Sequence, residues 1–494
     1  MNAERDSEAR PDGWIFAGLL LVLVWLPLPW GSRSDETVAV TALAVCALLS
    51  IWLLLWLGGR VRPASAAARG MAVALWVLWI GWLALQLLPL SCDWLARLSP
   101  AALQIHQSAV AAFAAPGTCA PAPLSIAPGL GVHGLLLTGF YFCLYLLVLL
   151  TVSSRQRVSA ILWTLAGSGL LQALYGLHMT VTGMEYGFLV KKTYGIGVTT
   201  GTFVNRDHYA AYLELTLAAG VALVLADLGQ WRTRNWHDFL RDLIALLLSA
   251  KFRARAMLVA MVAALVLTRS RMGNIAFFAS LSVSGGIFTL LRYRKWFIPS
   301  LLLFASLLLI DLFVVSRWFG LSAVVERIEQ TDLQTETRAL VLKDLEPVAQ
   351  DYLLTGSGLG TFALAYGPYR DESINGYFDH AHNEYAEFLI ETGAVGALVL
   401  GLLLLVHVWH GVRVLLFRRT PIYAAAAFAS LMAIIAMATH SGAEFMLHTP
   451  AVAATLVTLM ALGMSVSSRS SARRQPGQED GAPDAQQPGD HQRQ

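Results

Sequence analysis

Charge is what this sequence has least of. Only 14% of its 494 residues are charged while 56% are hydrophobic, and a mean hydropathy of +0.58 excludes an ordinary soluble protein. The formal net charge is +3, and no basic stripe with interleaved aromatics exists, so nucleic acid is not an expected partner. Cysteine is equally scarce. The four cysteines form no CxxC pair and no metal-ligand spacing, which argues against a thiolate zinc site. Cys46 and Cys143 read as apolar fill, whereas Cys92 and Cys119 flank one Pro- and Ala-rich loop. A disulfide there is plausible if the loop lies outside the cytoplasm, although spacing alone says nothing of Cβ geometry. A small-x-small cleavage site is also missing from LPLPWGSRSDET, so the first apolar run is expected to remain as a helix rather than act as a signal peptide.

Apolar runs are what the chain has in abundance. Twelve are long enough to cross a bilayer as helices, at approximately 14–30, 37–58, 70–90, 133–152, 158–178, 208–227, 254–270, 272–291, 297–316, 386–409, 421–440 and 450–467. About two thirds of the 35 Lys and Arg fall on the alternate segments that begin with the N-terminus, which places both termini in the cytoplasm. The tail from about residue 467 is expected to be disordered. The large outer segments are then 91–132, 179–207 and 317–385. Within the last, TETRALVLKDLEPVAQDYLL has helical spacing and predicts an amphipathic helix lying near the membrane surface or covering a cavity. It ends at TGSGLGTF, a glycine turn with no Rossmann-type unit after it. The short span 238–250 reads as a cytoplasmic interfacial helix. The expected fold class is all-α: a polytopic integral membrane protein of about twelve transmembrane helices, with a large outer loop between helices 9 and 10.

Ionisable residues near membrane helices are costly and so suggest function. They gather at one rim: Arg206, Asp207 and His208 at the start of helix 6, Arg269 and Arg271 at the junction of helices 7 and 8, Asp311 near the end of helix 9, and His440 and Glu444 between helices 11 and 12. DHAHNEYAEFLIETG, residues 379–393, reaches the same level. Its Glu384, Glu387 and Glu391 are spaced i, i+3, i+7 and share one helix face. The helix dipole favours the first two, while Glu391 is expected to pair with an arginine. A basic set (Arg206, Arg269, Arg271) thus faces a set of His380, His382 and Glu384. Arginine suits a diphosphate, and imidazole beside a carboxylate suits a general base. Together they describe transfer from a phosphate-activated donor at a membrane surface.

Plainer roles compete. On a regular helix Arg269 and Arg271 point about 200° apart, so Arg271 is taken to face inward and Arg269 to anchor at lipid headgroups. His382 could simply cap helix 10, and His380 is the weaker base candidate. HAHNE with a nearby Glu has metal-ligand chemistry, but no HExxH and no third His accompany it, so no metal is assigned.

Four ordered stretches carry a resemblance: GTFVNRDHYAAYLEL (201–215), LTRSRMGN (267–274), TRALVLKDLEPVAQDYLLTGSGLGTF (337–362) and HAHNEYAEFLIETGAVG (380–396). They resemble the bacterial O-antigen ligase and O-antigen polymerase family. The resemblance implies a GT-C-like membrane glycosyltransferase at the periplasmic face of the bacterial inner membrane, using a glycan on undecaprenyl diphosphate, without cofactor or metal and with inversion. It assigns Arg206 and Arg271 to the diphosphate and His382 to the base. Arg338 is a further donor-binding candidate, and Asn205, His208, Arg269, His380, Asn383 and Glu384 are expected to line the substrates. Asp207 stands where the family often has asparagine, and Met272 where it has a small residue, which puts the grip of Arg206 in question. The division that follows is 1–190 for N-terminal helices with loop 91–132, 191–410 for the catalytic core, 411–467 for the last two helices and 468–494 for the tail. The acceptor stays open between lipid A core, a second lipid-linked glycan and a protein hydroxyl. A transporter or flippase of the same lipids is the rival, and it predicts midplane charges, broken helices and repeated halves.

Overall fold

A computed structural model describes residues 11–64, 70–111, 119–188, 190–192, 196–228, 251–292, 344–371 and 378–467. The chain is an all-α polytopic membrane protein. Among the described residues, eight helices are long and apolar enough to cross a membrane, and three shorter ones are also apolar. Each expected run among the described residues forms a helix, though those of 14–30 and 70–90 end at Trp25 and Leu85; the run 297–316, Asp311, Arg338, the span 238–250 and the tail 468–494 lie outside the described residues. Local chemistry sets the helix ends. The Ser34 and Ser154 side chains accept from the Thr37 and Arg157 amides, and Pro128 and Pro421 open their helices.

The helices Arg206–Leu228, Pro421–His440 and Pro450–Ser467 form the centre, packed through small side chains such as the run Ala424–Ala427. In a bilayer, where water gives helices no reason to associate, such close approach supplies the attraction. The Asp35–Leu57 helix lies outside them and exposes Leu43, Leu54 and Leu57, as a lipid-facing helix must.

The sequence predicts one continuous helix over 386–409, and the structure corrects this. The helix runs Glu384–Phe417 but breaks at Gly393, where φ is 67° and ψ 178°. A break frees backbone groups that lipid cannot satisfy, and protein satisfies them here. Ser357 and Gly358 N–H donate to the Ile390 and Glu391 carbonyls at 2.9 and 2.8 Å, and Ala394 N–H donates to Leu353 O at 2.6 Å. Gln86 Nε2 donates to the Thr355 and Glu391 carbonyls at 2.7 and 3.0 Å, and Trp82 Nε1 to Thr392 O at 2.9 Å. The glycine turn after the loop helix therefore plugs the break, with Gly356, Gly358 and Gly360 all at positive φ.

The described part of the loop helix, 344–351, covers rather than floats. Its Leu345 and Val348, with Tyr352 just beyond, join Leu95, Leu124, Phe362, Tyr366 and Ile390 in a second core. Loop 91–132 closes this core from the other side. A Cys92–Cys119 disulfide staples it, Leu90 pairs with Ala122, and Ile126 N–H donates to Ser357 O at 2.8 Å.

Gly393→Ala and Gly356→Ala should each lower the melting temperature of the detergent-solubilised protein. Left-handed backbone costs a side-chain-bearing residue on the order of 1–3 kcal/mol, and the new Cβ would stand 2.4 Å from Leu354 O or 2.2 Å from Glu391 O. Gly139→Ala, with nothing within 4 Å, should be neutral. A thermal series followed by size-exclusion chromatography reads the difference.

Candidate active site

Glu384, Glu387 and Glu391 fall on one face, as their spacing predicts, and each is only 1% exposed. Buried carboxylates need donors, and each takes its own from a different segment. Glu384 bonds Ser441 Oγ and the Leu447 amide in the turn between the last two helices. Glu387 accepts from His380 Nδ1 at 2.7 Å and the Ala381 amide at 2.9 Å, and lies 3.1 Å from His448 Nε2. Glu391 accepts from the Phe362 amide at 3.0 Å. Among the described residues it bonds no arginine, which corrects the expected ion pair: it caps the short Phe362–Tyr366 helix instead.

The turn 441–449 brings the residues that sequence reading left without a role. His382 Nδ1 lies 3.0 Å from Glu444 Oε2. Its capping alternative falls away, because Asn383 is the N-cap and accepts from the Ala386 amide at 3.1 Å. His382 also holds φ at +50°, a left-handed conformation that a non-glycine residue keeps only when its surroundings enforce it. Phe445 is the hub. His380 stacks on its face at 4.1 Å, while His208 and His382 meet it edge-on at 5.0 Å and His448 at 6.3 Å. His208 is fixed to Thr449 by a 2.7 Å hydrogen bond. Deeper in, His440 pairs with Glu214 at 2.8 Å with neither side chain exposed.

His448 is held as a cation. Burial pulls its imidazole down, but the carboxylates of Glu384, Glu387 and Glu391 outweigh that and push it up to about 9. His380, Glu387 and His448 place ligand atoms within 4.8 Å of one another, a set that a divalent ion could use. His448 is the further imidazole that HAHNE lacks. One Glu387 oxygen accepts from His380 Nδ1 at 2.7 Å and forms an ion pair with His448 Nε2 at 3.1 Å.

The arginines open neighbouring helices. Arg206 begins Arg206–Leu228 with its side chain 44% exposed, and its Nε lies 3.7 Å from Asp207 Oδ2. The substitution of Asp207 for asparagine therefore does touch that arginine. Asn205 Oδ1 accepts from the Asp207 amide at 2.8 Å. Arg269 and Arg271 do not share a helix: one ends at Leu267, Arg269 sits in the turn at φ +56°, and Arg271 starts the next. Their expected 200° divergence does not apply, and both are exposed. A Cβ on Gly273 would meet the Ala210 Cβ at 2.6 Å. The helix starts that carry Arg271 and Arg206 thus touch, and His208 links them to the imidazole cluster through Thr449 and Phe445. Adjacent helix N-termini carrying arginines have the chemistry that suits an anion.

Fold and site together define a multi-pass helical membrane protein with two arginine-headed helix starts beside imidazole–carboxylate pairs at one end of the bundle. Residues 256–401 match the family described as O-antigen ligase, and the match supports membership of the O-antigen ligase/polymerase superfamily. It takes in Arg269, Arg271, His380, His382 and the three glutamates but stops short of Glu444 and His448. No curated protein matches the chain.

Because the folded pKa of His448 lies above the ordinary 6.5, its stabilisation is complete below about 6.5 and is lost as pH rises through about 9. The melting temperature in detergent should fall across that window. In His448→Gln the fall should disappear; an equal slope in both proteins would refute the charge assignment.

Proposed function

We propose that the protein is an inner-membrane glycosyltransferase that moves a glycan from undecaprenyl diphosphate to an acceptor hydroxyl at the periplasmic face. What supports this is that His382, held by Glu444, and His208, two residues into the helix that Arg206 opens, both pack against Phe445, while the helix that Arg271 opens touches that of Arg206. His382 takes the proton of the acceptor hydroxyl. The oxygen attacks the anomeric carbon from the face opposite the phosphate, the bond to the phosphate oxygen breaks, and its electron pair leaves with the diphosphate. Arg206 and Arg271 meet that developing charge, so inversion follows and no metal is required. Arg269, Asn205, His208, His380, Asn383 and Glu384 shape the site, and Arg338 is kept as a donor contact. Residues 191–410 form the catalytic core, completed by the turn 441–449 from the 411–467 segment.

The disulfide supports the periplasmic orientation. The loop that Cys92–Cys119 closes packs, through Leu95 and Leu124, in one core with Ala381 and Ile390 of the site segment, and disulfides persist outside the reducing cytoplasm. Both termini are then cytoplasmic. The acceptor is lipid A core, a second lipid-linked glycan or a protein hydroxyl, and loop 91–132 with the loop helix covers the side from which it would be chosen.

One observation favours the flippase reading, namely the broken helix at Gly393. Transporters use such breaks to line a substrate cavity. Here protein backbone fills the break, so the enzyme reading stands ahead.

His382→Ala and Arg271→Ala should each cut glycan transfer on the order of 10²-fold or more at normal expression, while a chelator leaves it unchanged. Full transfer by either variant would overturn the assignment. Gel analysis of cells lacking the protein identifies the acceptor: loss of capped lipid A indicates a ligase, and accumulation of single repeat units a polymerase.

A further inference from the structure

Two imidazole–carboxylate pairs compete for the role of base. His380 with Glu387 and His382 with Glu444 are both partly exposed, at 19% and 25% of the imidazole side chain, and both carboxylates are buried. In each pair Nδ1 faces the carboxylate, which leaves Nε2 for a substrate. Proximity alone does not choose between them.

Charge does. A base finishes its step as an imidazolium and needs a carboxylate able to stabilise it. Glu387 is already committed: one oxygen serves both His380 and His448, and the other holds the Ala381 amide. The ring of His448, a cation, stands 4.4 Å from that of His380. A proton taken by His380 would create two positive imidazoles side by side around one carboxylate. His382 faces a different carboxylate, with its Nδ1 3.0 Å from Glu444 Oε2.

We propose that Glu444 is the positioning residue of the transfer reaction: it holds the proton of His382 on Nδ1, so that Nε2 is the atom that takes the acceptor's proton. This rests on the glycosyltransferase reading and specifies its base. The arrangement matches the general logic of a buried carboxylate that fixes the tautomer and stabilises the imidazolium as it forms. The acceptor proton moves to Nε2, the Nδ1 proton stays between imidazole and Glu444, and the cation is neutralised when product leaves and the proton passes to solvent.

The fold makes this distance rigid. The turn that carries Glu444 is pinned to the segment that carries His382 at several points. Glu384 N–H donates to Ser441 O at 2.9 Å, its carboxylate takes Ser441 Oγ and the Leu447 amide, and Asn383 Nδ2 donates to Gly442 O at 3.3 Å. Phe445, the next residue, sets its ring at 77° to the His382 imidazole with the centroids 5.0 Å apart. Glu384 thus acts indirectly, by fixing the turn.

The test is steady-state transfer by purified protein with a lipid-diphosphate-linked glycan and a hydroxyl acceptor. Glu444→Gln should lower kcat at least about tenfold with the donor KM unchanged, and Glu444→Asp should recover part of the loss. The double variant His382→Ala/Glu444→Gln should be no slower than His382→Ala alone, because the carboxylate acts only through the imidazole. Additive losses, or a Glu444→Gln enzyme with normal kcat, would overturn the positioning role while His382→Ala remained inactive. A fully active His382→Ala protein would instead remove the transfer-site reading itself.

Discussion

Three carboxylates buried on one helix face organise this end of the molecule. A carboxylate out of water is tolerated only when donors surround it, and the chain meets that demand by drawing three separate segments onto one helix. Glu384 draws in the turn 441–447, Glu387 draws in the bend at 380–381 together with His448, and Glu391 draws in the helix start at Phe362. The imidazoles converge because their backbones are tied to these glutamates. Chemistry and folding therefore share the same groups.

The break at Gly393 belongs to the same arrangement. Two residues after Glu391 the helix turns aside, and the carbonyls it releases become the anchor for the glycine turn at 356–358. That turn leads back to Phe362, whose amide caps on Glu391. Loop 91–132 then rests on the plug through Ile126, and Gln86, at the end of the preceding helix, holds both the plug and Ser125 of the loop. A membrane helix that is broken, filled and covered in this way is a rigid floor rather than a gate, which suits a site that must hold a reacting geometry.

Much of this was legible in the residues. Apolar length gave the helices, because a bilayer imposes a length that soluble folds do not, and the i, i+3, i+7 spacing gave the shared face of the three glutamates. Motif order singled out Arg206, Arg271 and His382, and their roles belong to the proposal. What sequence could not supply was partnership across long separations: Glu444 lies 62 positions from His382, and Glu214 lies 226 from His440. The helix break was hidden because Gly393 sits in a run whose apolar content reads as continuous helix. Among the described residues Glu391 takes the Phe362 amide rather than the expected arginine, and a backbone amide carries no sequence signature. The turn EFMLHT held signals in plain view, two ionisable residues and a phenylalanine beside membrane helices, yet their meaning depends on what packs against them.

The central claim is that this end of the bundle makes a glycosidic bond. It is tested most directly by reconstituting the purified protein in vesicles with an undecaprenyl diphosphate-linked glycan of defined anomeric configuration and a candidate acceptor, and reading the product by NMR. The account predicts a new glycosidic bond of inverted configuration with release of undecaprenyl diphosphate. A bond of retained configuration, or passage of the lipid-linked glycan across the bilayer with no bond formed, would contradict it.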